Sequence, residues 1–231
     1  MSTGFYGKIP YTGDFINRRL PKNFVQPWDH WLQSGIGNSQ TQLGDAWLDM
    51  YLTSPIWRFV LSKGLCGEFP WAGLVMPSVD SVGRYFPLTI ACPLPLDVNP
   101  IQIVSSTSQW FDMAEEVLIS ALEDPTFNIE HFDAKVVALQ GLSNRYAALG
   151  CATNLGFGSA WQIPLTAGIG AAIPNLTHQL LMQRLSDYSL WWGSGSQRVN
   201  ASLLVCTGMP LATDFPAMYS GEWLGGSWEQ W

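Results

Sequence analysis

Charge is scarce in this sequence. Lys, Arg, Asp and Glu together make up 13% of its 231 residues, about half the usual share. With a hydrophobic fraction of 47%, that excludes extended disorder and leaves enough apolar side chain for a sizeable core. The net charge of −7 arises late in the chain. Residues 1–90 hold seven Lys/Arg against six Asp/Glu, and residues 91–231 hold four against twelve. Arg18, Arg19 and Lys22 form the one basic cluster, too small to neutralise a phosphate backbone, so nucleic acid is excluded as a partner.

Other absences narrow the chemistry. Cys66, Cys92, Cys151 and Cys206 stand apart with no CxxC pair, which reads as buried, reduced thiols. His30, His131 and His178 show no HxH or HxxxH spacing, so no zinc site is legible. GxSxG and Walker A sequences are missing, and "GFGSAW" and "GIGAAI" each lack the third glycine of a dinucleotide fingerprint. No cofactor is implied. The first residues, "MSTGFYGKIP", contain no apolar signal core. The longest weakly polar stretch, "PLTAGIGAAIP" at 164–174, is far short of a membrane span. The expectation is a cytoplasmic chain without membrane insertion.

What the sequence has is aromatic mass and a mixed pattern of strands and helices. Twelve Trp residues suit both a core and a protein-binding surface. "GFYGKIPYTGDF" opens with a short aromatic strand. Asn23 fits the start of a helix carrying Phe24, Trp28, Trp31 and Leu32, which Gly35 and Gly37 are expected to stop. Ser39-x-x-Gln42 reads as a capping box for a second helix, and Ser106-x-x-Gln109 as another. Strands are predicted at 56–62, 72–76 and 86–92, the last two so evenly apolar that both faces must be covered. Helices follow over 128–139 and 175–187, the latter capped by Asn175 or Thr177. "AWQIPL" suggests an edge strand, and "SLWWGS" with "ASLLVC" a strand pair. The fold class read from this order is α/β. One domain over residues 1–231 is expected, a three-layer α/β/α sandwich around a mixed central sheet.

The segment "MPSVDSVGRYFPLT" (residues 76–89) sets a polar knot between two apolar runs. Ser78 or Ser81 would serve a hydrolase as nucleophile, with Asp80 orienting a remote histidine as base. The same residues also explain one another as a turn. Ser78 and Asp80 can cap backbone N–H groups, Gly83 can take positive φ, and Arg84 can return to Asp80. No base is tied to the motif, which favours architecture or partner binding over catalysis. Among the other charged residues of the N-terminal block (Lys8, Asp14, Arg18, Arg19 and Arg58), Asp14 is expected to pair with an arginine. The tail "GEWLGGSWEQW" carries three Trp and is expected to fold back on the domain.

Taken together, "GFYGKIPYTGDFINRRLP", "WDHWLQ", "WLDMYLTSPIWRFVLS", "GLVMPSVDSVGRYFPLT" and "SLWWGSGS" resemble the TagF family of type VI secretion-associated proteins, most densely over residues 4–92. The resemblance implies an α/β/α sandwich and a non-enzymatic, cytoplasmic post-translational repressor. Its implied partner is the forkhead-associated scaffold of the secretion apparatus. Some relatives carry a fused phosphatase domain, and none is expected within residues 1–231. The family's motif positions fall here on Gly7, Lys8, Gly13, Asp14, Phe15, Arg19, Trp57, Arg58, Ser78, Asp80, Gly83 and Arg84.

Overall fold

The computed structural model describes residues 2–124, 126–139, 142, 165 and 168–230. The chain opens with strands β1 (Gly4–Gly7) and β2 (Ile16–Arg18), then helices α1 (Lys22–Leu43) and α2 (Trp47–Leu52). Three strands follow, β3 (Trp57–Leu61), β4 (Trp71–Met76) and β5 (Leu88–Pro93). Helices α3 (Pro100–Ser106), α4 (Ser108–Glu123), α5 (Ile129–Ala138) and α6 (Ile169–Leu185) precede β6 (Tyr188–Gly193), β7 (Ser202–Thr207) and α7 (Phe215–Ser220). The strands form one sheet in the order β2-β1-β5-β4-β3-β6-β7.

Every neighbouring pair in that sheet is antiparallel. This corrects the expected mixed sheet. Segments 62–70, 77–87 and 194–201 each return the chain beside the strand it has just left, and short returns of this kind enforce antiparallel pairing. The uninterrupted apolar runs of β4 and β5 report cover on both faces, not strand direction. Of "AWQIPL", residues 160–164 lie outside the described residues, as do Cys151 and Trp231.

Alternation along the strands sends side chains to two apolar clusters. Tyr6, Trp57, Phe59, Leu61, Trp71, Val75, Ala91, Trp191, Leu204 and Cys206 face α1, α2 and α7. Phe5, Val60, Ala72, Leu74, Met76, Leu88, Ile90 and Cys92 face α3, α4 and α5. The first cluster centres on Trp28, whose ring lies 4.6 Å from Phe59, 5.0 Å from Trp31 and 5.5 Å from Phe24. Buried indoles need a partner for their N–H. Trp28 donates to Thr89 Oγ1, Trp31 to the Pro210 carbonyl, Trp57 to that of Met218 and Trp71 to that of Cys66. The buried Trp residues are therefore core, not binding surface.

Helix boundaries depart from the sequence expectations for local reasons. Asn23 lies inside the first turn of α1, behind Pro21 at the N-cap position. Gly35 and Gly37 do not stop α1, which runs on to Leu43. A Cβ on Gly35 would come within 2.4–2.7 Å of the Phe215 ring, so this glycine serves the close approach of α7. Ser39 opens no helix; its hydroxyl donates to the Ile36 carbonyl and accepts from Trp47 Nε1. Thr107, not Ser106, precedes α4, and it caps without its side chain. Helix α6 starts at Ile169, ahead of Asn175, whose side-chain oxygen instead accepts from Asn99 Nδ2. The helix expected over 128–139 is α5, and Asn128 caps it by accepting from the Glu130 and His131 N–H groups.

Candidate functional site

The polar turn between β4 and β5 is built around one buried carboxylate. Asp80 Oδ2 accepts from Lys8 Nζ at 2.8 Å and from Arg84 Nε at 2.7 Å. Oδ1 accepts from the backbone N–H groups of Val82 (3.0 Å) and Arg84 (2.8 Å). The backbone closes the same loop, with Asp80 N–H bonded to the Arg84 carbonyl and Gly83 N–H to the Asp80 carbonyl. Gly83 adopts φ +84°, the left-handed region that favours glycine. Here the expected Asp80–Arg84 pair and the positive φ are both present.

This turn is fastened to the loop that leaves β1. Ser81 N–H donates to the Thr12 carbonyl, and Arg84 Nη2 donates to the Gly13 carbonyl. Lys8, 5% exposed, sits 5.0 Å from the Phe15 ring centroid, a cation–π distance. Phe15 in turn stacks on Tyr6 and meets Phe86 edge-on. Burial would raise the Asp80 pKa. The hydrogen bonds from Lys8, the Arg84 N–H, the Arg84 guanidinium and the Val82 N–H outweigh it and hold the carboxyl well below the usual aspartate range.

Ser78 does not cap the turn, contrary to the sequence expectation. Its buried hydroxyl donates to the Lys8 carbonyl at 2.7 Å. Its backbone N–H donates to Tyr51 Oη, and that phenol donates to the Ser78 carbonyl. Burial pushes the Tyr51 phenol far above its ordinary pKa. Among the described residues neither Ser78 nor Ser81 bonds a histidine. His178 Nδ1 lies 2.7 Å from the Tyr188 hydroxyl instead, and burial pulls its pKa below the ordinary value. The apolar cavity beside Pro77, lined by Trp31, Tyr51, Trp57 and Tyr219 among others, includes neither serine. Among the described residues no group of three or more His, Cys, Asp or Glu is placed to hold a metal ion.

Of the residues singled out from the sequence, Lys8, Ser78, Asp80 and Arg84 therefore come together. Among the described residues Asp14 joins no ion pair; its Oδ1 accepts from the Phe15 N–H. The arginines of the N-terminal block pair with the acidic later half of the chain. Arg18 reaches Glu130 at 3.4 Å, and Arg19 Nη2 lies 2.6 Å from Asp133 Oδ1, both on α5. The Arg19–Asp133 contact is an ion pair by distance without hydrogen-bond alignment, since Asp133 Oδ1 accepts no hydrogen bond. Arg58 bonds Asp112 and Glu115 on α4 at 2.8 and 2.7 Å. Tyr51 and Thr12 belong to the site and were not singled out, and Gly13, named as a family motif position, belongs to it through a contact that no side chain announces. Tyr51 carries an ordinary helical signal, and the other two contribute only backbone carbonyls, which no side-chain motif reports.

Residues 4–139 match the TagF N-terminal domain, described as type VI secretion system-associated. The chain belongs to the TagF family. It is also similar to a solved protein, PA0076 from Pseudomonas aeruginosa PAO1, whose crystal structure was determined at 2.05 Å. The two are 40% identical and superpose with a TM-score of 0.83, over 100% of this chain and 98% of the other. No curated protein matches the chain. The family match contains both β1 and the Asp80 turn, so the fastened pair of loops lies wholly within the TagF N-terminal domain. Among the described residues, no helix is long and apolar enough to cross a membrane.

Proposed function

We propose that this TagF chain is a non-enzymatic, cytoplasmic accessory protein of the type VI secretion system. In this reading it represses secretion after translation by binding the forkhead-associated scaffold of the apparatus. We take the chain as a single domain, with helices layered on both faces of the sheet. The observation that carries the functional reading is the family match over residues 4–139. It is supported by the state of the polar turn, where the Ser78 hydroxyl, the Asp80 carboxylate and the Lys8 ammonium are engaged with one another or with backbone. A nucleophile and its base need hydrogen-bond reach of each other, and Ser78 reaches a carbonyl instead.

The test is calorimetric titration of the purified chain into the purified scaffold, with Ser78→Ala and Ser81→Ala tried in parallel against ester and phosphoester substrates. A saturable complex with no serine-dependent turnover is expected. Turnover that disappears in either serine variant would replace the binding reading with a hydrolase.

A further inference from the structure

Among the described residues, one buried hydroxyl bonds nothing. It is Tyr219 Oη, on α7, and the residue is only 5% exposed. The neighbouring buried rings are all paired. Tyr51 Oη accepts from the Ser78 N–H and donates to its carbonyl, and Trp31 and Trp57 donate to carbonyls. Tyr219 meets Tyr51 and Phe215 edge-on, with centroids 5.7 and 5.3 Å apart. Those contacts fix the ring without pairing its oxygen. Burial holds the phenol well above its ordinary pKa, so it keeps its proton and presents a donor. Native proteins rarely leave such a group unpaired, because its desolvation then goes uncompensated.

Tyr219 lines the apolar cavity beside Pro77, whose walls come from α1 (Leu32), α2 (Tyr51), β3 (Trp57), β4 (Val75) and α7. The cavity volume is about 20 Å³. One water needs about 10–15 Å³, whereas a cavity that takes up benzene measures roughly 150 Å³. Size therefore selects water over an organic ligand. A wholly apolar cavity would stay dry, and a buried water needs two to four polar partners. This cavity has a second hydroxyl on its wall. Ser54, half-buried just past α2, lines it too. Its backbone N–H bonds the Tyr51 carbonyl, and among the described residues its hydroxyl bonds no protein atom.

We propose that this cavity is a binding site for a single structural water, which accepts from Tyr219 Oη and donates to Ser54 Oγ. The water completes the one buried hydroxyl that the chain leaves unpaired among the described residues. It also joins two parts of the molecule. Ser54 lies within residues 4–139, the TagF N-terminal domain, and Tyr219 lies beyond them. The bridge thus ties α7 to that domain, beside the phenol of Tyr51 that holds the Ser78 backbone.

Urea unfolding of the full chain, Tyr219→Phe, Ser54→Ala and the double variant tests this, together with a crystal structure of the wild type. Tyr219→Phe keeps the ring and deletes only the hydroxyl. Each single variant is expected to lower the unfolding midpoint. The double variant should lose less than the two losses combined, because either deletion already breaks the bridge. Electron density for one water within hydrogen-bond distance of both oxygens is expected. A midpoint that stays or rises in Tyr219→Phe would overturn the site, since deleting an unpaired hydroxyl from a dry cavity relieves a desolvation cost. Additive losses, or a crystal structure with no density between the two hydroxyls, would overturn it as well.

Discussion

At the scale of single residues, Asp80 is the group whose state matters most. Its carboxyl is held below the ordinary aspartate pKa by two cations and two backbone N–H groups acting against burial. A depressed folded-state pKa gives stability that is complete above the unfolded value of about 3.9 and is lost as pH falls through the folded value. Urea unfolding of wild type and Asp80→Asn between pH 7 and pH 3 checks this. The stability gap between them is expected to stay constant at neutral pH and to narrow only below about pH 4–5. The Asp80–Arg84 pair and the need for glycine at 83 were legible because both arise within one short segment. Lys8 stands out in the sequence as a scarce charge, but its partner lies 72 positions away, a distance no local pattern spans. The expected pairing of Asp14 with an arginine failed for the same reason, since the arginines found carboxylates on α4 and α5.

At the scale of elements, the strands were more legible than the helix ends. β3, β4, β5, β6 and β7 stand out as apolar or aromatic runs. β2, only three residues long and little buried, offers no such run and was missed. Helix ends failed where a tertiary contact had claimed the signal residue. Gly35 looks like a stop but makes room for Phe215, while Gly37 faces open space within the same helix. The two glycines therefore make opposite predictions. Gly35→Ala is expected to destabilise by about 1–3 kcal/mol through overpacking against a buried ring. Gly37→Ala is expected to stabilise by about 0.5–1 kcal/mol, because alanine gives up less backbone entropy in an exposed helical turn. Denaturant midpoints of the two variants decide it, and equal effects would mean that α7 does not dock at Gly35.

At the scale of the whole molecule, the C-terminal tail folds back as its composition suggested. Trp223 meets Trp57 edge-on, and Trp228 packs against Trp223. Asp214, buried at the start of α7, accepts from Ser227 N–H and Oγ, and its carbonyl accepts from Trp228 Nε1. Truncation after Tyr219 removes those donors from a buried carboxylate. It is expected to cost about 2–3 kcal/mol, or roughly 4–12 °C of melting temperature. An unchanged melt would show that the tail is not part of the folded unit.

The same scale carries the functional claim, that repression is stoichiometric binding and not turnover. It is tested most directly by titrating secretion output against the cellular ratio of this chain to the forkhead-associated scaffold. Repression should grow in proportion to that ratio and saturate as the two approach equal amounts. Complete repression at a small fraction of the scaffold's abundance would contradict it.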